Sequence, residues 1–96
     1  MAEIDVQRSD IERFMSRFRV TVTQGRHTTH HEVTLSAADF ERLGTNYHSP
    51  EEFVRACFEF LLERESNESI LPSFDVSVIP TYFPDFEKRI LRPRER

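Results

Sequence analysis

From Ser49 onward the chain sets apolar side chains at Phe53, Val54, Cys57, Phe58, Phe60, Leu61 and Leu62, with Arg55, Glu59 and Glu63 among them. Steps of three and four residues gather the apolar set on one broad arc of an α-helix and leave the charges on the other side. The start is marked as well. Ser49 offers a hydroxyl to the N–H of Glu52, Pro50 fits the first helical position, and Glu52 completes a capping box. The pattern predicts a central helix over about 50–64. One small sheet covers one face of a helix, so an arc this wide implies packing on two surfaces.

Other stretches have a period of two. Phe18, Val20 and Val22 alternate with Arg19, Thr21 and Thr23, and Val33 and Leu35 alternate with Glu32 and Thr34. With Gly25 able to supply a positive φ between them, the pattern predicts a hairpin with strands at about 17–24 and 29–35, wet on one face. Ser9-Asp-Ile-Glu, followed by Ile11, Phe14, Met15 and Phe18 at helical spacing, predicts a short helix over about 10–16, and residues 1–8 read as a frayed tail. Ser36 caps a short helix that ends at Gly44, a natural C-terminal stop.

The C-terminal third carries two periods at once. Phe74 to Ile79 alternates, which favours a strand over about 74–79. Leu71, Phe74, Val78, Tyr82, Phe86 and Ile90 also step by three or four, which favours helix, and Pro80 restricts where such a helix can begin. Pro84 at a first helical position starts a last helix with Lys88 and Arg89 near its C-terminal end. Residues 92–96 read as a solvated tail. The elements together predict an α+β fold: a small hairpin-based sheet packed on the 50–64 helix, with short flanking helices, in a single domain over 1–96.

Composition narrows the classes. A chain of 96 residues buries roughly 60–65% of its unfolded surface, enough for one core. Nine Phe residues make that core aromatic. A net charge of −4 speaks against a dedicated duplex DNA binder, which needs a basic footprint. The lone Cys57 allows neither an internal disulfide nor a cysteine zinc site. No apolar run reaches the length of a membrane span and the N-terminus lacks a signal-peptide pattern, so the expectation is a cytoplasmic protein with no membrane partner.

The run Glu68-Ser-Ile-Leu71, Phe74-Asp-x-Ser-Val-Ile79 and Tyr82-Phe-Pro-Asp-Phe-Glu87 resembles the C-terminal portion of a family of small bacterial proteins of unknown function. The resemblance covers about a quarter of the chain. It implies a bacterial origin and brings no activity, ligand or catalytic residue with it.

His27, His30 and His31 form the densest set of metal-ligand types, with Glu32 or His48 as further donors. His27 and His31 share a strand face, and imidazoles on one face of neighbouring strands can share a metal. The competing reading is a polar turn with three ordinary histidines. Cys57 falls on the apolar arc of the central helix, where a thiol is inert. The carboxylates of Glu51, Glu52, Glu59, Glu63, Glu65 and Glu68 sit in helix starts or on wet faces, and no pair stands in an apolar setting that would split two pKa values. With two glycines there is no phosphate-cradling loop, no nucleophile elbow is present, and no cofactor is expected.

Three functional classes stay open. The first is a non-enzymatic interaction module with an unidentified protein partner. The second is a ribbon-helix-helix regulator, suggested by a strand ending Val33-Thr-Leu35, a short helix and a Ser-capped helix, and opposed by the negative charge. The third is a metal-binding domain built on His27, His30 and His31. The basic residues Lys88, Arg89, Arg92, Arg94 and Arg96 read as a solubilising end, since acidic residues interrupt them. Phe74, Tyr82, Phe83 and Phe86 of the flanking segments offer cover for the surplus apolar arc of the central helix from within the chain. A homodimer is the commoner way to bury such an arc, and the expectation is a dimer with its seam on the part the hairpin leaves uncovered, joined by the Phe83–Phe86 turn.

Overall fold

The computed structural model describes residues 2–91. Three long strands lead: β1 (Ala2–Ile11), β2 (Met15–Gln24) and β3 (His27–Ser36). Helices α1 (Ala37–Leu43) and α2 (Pro50–Leu62) follow. The chain then adds a short strand β4 (Ser73–Asp75) and two short helices, α3 (Ile79–Tyr82) and α4 (Phe86–Ile90). The sheet has the order β1-β2-β3-β4, antiparallel except for the parallel β3–β4 pair. The fold is α+β, as predicted.

The β2–β3 hairpin forms where alternation placed it, and it runs longer. Gly25 has φ +62° and Arg26 does not have a positive φ, the pattern of a type II′ turn. Phe18, Val20, Val22, Val33 and Leu35 are all buried on the inner face. The outer face is polar: Arg17 pairs with Glu32 at 3.2 Å, and Thr21 meets His30 at 3.2 Å.

The N-terminal reading is corrected. Residues 2–8, expected to be a tail, are the first part of β1, and no helix forms over 10–16. Ile4 and Val6 alternate with Glu3, Asp5 and Gln7, and a neighbouring strand lets that short pattern bury Ile4. Ser9 caps nothing, and its hydroxyl donates to the Arg17 carbonyl at 3.3 Å. Ile11 and Phe14, the residues that suggested a helix, flank the turn and are 68% and 70% exposed.

Helix α2 starts as its sequence dictates. The Ser49 hydroxyl accepts from the Glu52 N–H at 3.1 Å. The Glu52 carboxylate reaches one residue beyond the box, to the His48 N–H at 2.7 Å. Phe53, Val54, Cys57 and Phe58 are buried completely or nearly so. The far side of α2 is covered from within the chain. Phe60 meets Phe86 at 5.1 Å and Phe83 at 6.0 Å, both edge to face, and Phe86 and Ile90 are buried. The predicted seam of a homodimer is therefore occupied by α4 and the segment before it.

Helix α1 ends at Gly44, for a reason other than a left-handed stop. Its φ is −98°, and a Cβ there would lie 2.3 Å from the Phe40 ring and 2.8 Å from the Phe40 carbonyl oxygen. The site requires glycine for close approach.

Both C-terminal periods are used in turn. The strand stops at Asp75, well short of 79, because the Asp75 carboxylate accepts from the Ser77 N–H at 3.0 Å and turns the chain into a 3-10 segment over Val76–Val78. Pro80 sits in the first turn of α3, where its missing N–H costs nothing. The last helix begins at Phe86, two residues after Pro84, with Asp85 at its N-cap. The tail predicted at 92–96 lies outside the described residues. No helix among the described residues is long and apolar enough to cross a membrane.

Candidate functional site

The segment that leaves α2 is polar, Ser66-Asn-Glu-Ser69, and a polar connector has no core of its own to hold it. Side-chain bonds to the sheet hold it instead. Asn67 is buried, and its amide donates to the Val22 carbonyl at 3.2 Å and to the His27 carbonyl at 2.9 Å. Its own N–H donates to the Gln24 side-chain oxygen at 3.1 Å. Glu68 pairs with His27 at 2.9 Å.

Two further bonds draw the next residues against β3. The Glu32 N–H donates to the Pro72 carbonyl at 2.8 Å, opening the parallel pairing of β3 with β4. His31 lies on the inner face with Val33 and Leu35, and is buried. Its Nδ1 is 2.8 Å from the Leu71 carbonyl, so Nδ1 carries the proton. Its Nε2 then accepts from the Thr29 hydroxyl at 2.8 Å. Burial pushes the His31 pKa below the ordinary histidine value; its bond to Leu71 opposes that shift, and His30 adds to it. The ring rests on Phe58 at 5.3 Å, and Phe58 rests on Phe74 at 5.9 Å.

Between these residues and the end of α2 lies a groove of about 200 Å³. Its walls are mostly apolar: Leu61, Ile70, Phe74, Val78, Ile79 and Phe83. Leu71 and Tyr82 stand on its rim, 46% and 65% exposed. Glu65 and Ser69 also line it. Among the described residues the Glu65 carboxylate forms no ion pair or hydrogen bond. The groove is thus a small apolar recess with a carboxylate at its edge that has no partner among the described residues. Such a recess can accept an apolar side chain and hold a neighbouring cation.

The sequence pointed instead to His27, His30 and His31, and the fold does not bring them together. His27 stands at the end of β3 against Glu68, His30 points to the outer face beside Thr21, and His31 is inside. Glu32 pairs with Arg17 on the outer face. Among the described residues no group of three or more His, Cys, Asp or Glu is placed to hold a metal ion. Cys57 is fully buried, and burial pushes its thiol pKa far up. The ribbon reading also meets an obstacle. A ribbon-helix-helix dimer needs a free strand ahead of its two helices, and β3 is paired with β2 on one side and β4 on the other.

The groove was not read from the sequence, although one signal for it was present. The steps from Leu71 through Phe74 and Val78 to Tyr82 trace its wall, and Glu65 looked like any wet-face carboxylate. No family model matches the chain, and neither a curated protein nor a solved structure matches it. The C-terminal likeness to a bacterial family gains no support from these comparisons.

Proposed function

We propose that the protein is a non-enzymatic interaction module that receives a bulky apolar side chain of a partner protein, flanked by Lys or Arg, in the groove beside Glu65. The observation that carries this reading is the recess itself: apolar walls, exposed Leu71 and Tyr82 on the rim, and the Glu65 carboxylate beside them. The walls are fixed by β4 pairing, the Asn67 amide and the His31 bond, so the recess is formed before a partner arrives. Preformed recesses bind with less ordering cost than flexible ones. The reading includes one domain over 1–96 acting in a bacterial cytoplasm; one continuous core supports the single domain, and a free buried thiol suits a reducing compartment.

The test is site-specific photo-crosslinking in cells. A benzoylphenylalanine at position 82 is expected to trap a defined protein, and the Glu65→Arg substitution is expected to abolish the adduct. The same probe at position 55, on the exposed side of α2, is the control. Equal adducts from both positions, or adducts indifferent to Glu65→Arg, would refute the groove as the docking site.

A further inference from the structure

The sheet has two unlike edges. Beyond β3 the edge is covered over Glu32–Thr34 by β4. Beyond β1 no described strand follows, although β1 runs for ten residues and contains no proline. An open edge of that length is a template for another strand.

The hydrogen-bond parity of this edge follows from the turn. Gln24 and His27 close a two-residue loop, which makes them a hydrogen-bonded pair. Alternation then gives Val22, Val20 and Phe18 hydrogen-bonded partners on β3, and turns the backbone groups of Thr23, Thr21 and Arg19 toward β1. Their partners there are Glu3, Asp5 and Gln7. The N–H and C=O groups of Ile4, Val6 and Arg8 therefore point away from β2, along the open edge.

We infer that this edge pairs with a second copy of the chain, β1 antiparallel to β1, about a two-fold axis at Val6. Charge and the bulge together select the register. A centre at Ile4 puts Glu3 opposite Asp5, a centre at Asp5 puts Asp5 opposite itself, and a centre at Arg8 puts two guanidiniums together. A centre at Gln7 brings Ile4 opposite Asp10, past the bulge between Arg8 and Asp10. The Val6 centre sets Asp5 against Gln7 and Val6 against Val6, with no like charges directly opposed, and its pairs from Ile4 to Arg8 all lie short of the bulge. It also pairs Ile4 with Arg8, so the outward backbone groups satisfy one another. On the inner face it extends the cover of Ala2 and Val6, which lie half-buried against the core. Arg8 is held in place for this contact by Glu51, at 2.9 and 2.7 Å through its two nitrogens. Because the two-fold uses the β1 edge of both copies, the pairing closes as a dimer and does not propagate. This seam is separate from the groove and does not depend on the groove's function.

Sedimentation equilibrium and amide hydrogen exchange on the full chain test it together. A dimer is expected at about 100 µM, dissociating on dilution. The amides of Ile4, Val6 and Arg8 should gain protection only at dimerising concentrations, while those of Glu3, Asp5 and Gln7 stay protected throughout. Val6→Pro removes an outward N–H and leaves the β1–β2 ladder intact, so it should weaken dimerisation at least about tenfold. If that variant fails to fold, the wild-type exchange pattern alone decides. A monomer at every concentration, or a dimer whose Ile4, Val6 and Arg8 amides exchange freely, overturns the inference.

Discussion

The Nδ1–H of His31 donates to the carbonyl of Leu71 at 2.8 Å, joining the middle of β3 to the groove rim 40 residues further along the chain. The bond requires one tautomer and a neutral ring, because the same ring accepts from Thr29.

That requirement sets a pH dependence. Burial lowers the folded pKa of His31 below its ordinary value of 6.5, so the unfolded chain binds the extra proton first. The stabilising contribution is complete above about pH 6.5 and is lost as pH falls from there toward the folded pKa. Urea melts at pH 7 and pH 5 should show a lower midpoint at pH 5, and His31→Gln should flatten that difference. Equal slopes in the two proteins would contradict the assignment.

Further acid loss belongs to carboxylates. The Arg8 hydrogen bonds hold Glu51 below the ordinary carboxylate range. Burial raises Asp75, and bonds from Thr34 and Ser77 outweigh it and leave the group lowered. Both contributions are present above the unfolded pKa values and vanish as pH falls through the folded ones. Below about pH 4.5 the melts should therefore lose stability in His31→Gln as well as in wild type.

Asn67→Ala should cost about 1–3 kcal/mol, because two buried hydrogen bonds are lost while the Val22 and His27 carbonyls keep their cross-strand donors. It should also loosen the groove wall. Chemical denaturation measures the first effect, and exchange of the Ile70 amide, bonded to the Asn67 carbonyl at 3.3 Å, measures the second. A change under about 0.5 kcal/mol would show that water replaces the side chain.

Phe58→Ala should cost about 3–5 kcal/mol by opening a cavity among His31, Phe74 and the sheet. Phe58 is fully buried, so neighbouring rings cannot collapse without moving β4. A loss below about 1 kcal/mol in denaturant melts would mean that the site refills.

Cys57 should react with a thiol reagent only when the protein opens, since it is 1% exposed and its thiolate is disfavoured by burial. The labelling rate should rise with urea in step with unfolding. Native protein that labels as fast as the unfolded chain would contradict this.

Local signals were legible wherever one element satisfies itself. The Ser49 cap, Pro50 and the apolar arc fix α2 because a helix closes its backbone bonds within its own turns. The Gly25 turn and the flanking alternation fix the hairpin for a similar reason, since its partner strand is next in the sequence. The N-terminus was harder. Ile4 and Val6 are too few to declare a strand, and β1 exists because β2 offers it an edge.

The groove and the fate of the histidines were decided by tertiary structure. Sequence placed His27, His30 and His31 together, yet strand parity sends His30 outward and His31 into the core, and the end of β3 leaves His27 beside Glu68. Likewise, the wide apolar arc of α2 announced a second covering surface without deciding between a partner copy and the same chain. Phe83, Phe86 and Ile90 supply it from the same chain, because the 3-10 segment and Pro80 turn the backbone back across α2. Periodicity tells which side of an element is apolar. What covers that side depends on chain reversals set by single bonds such as Asp75 to Ser77, whose partners become neighbours only after the chain has folded.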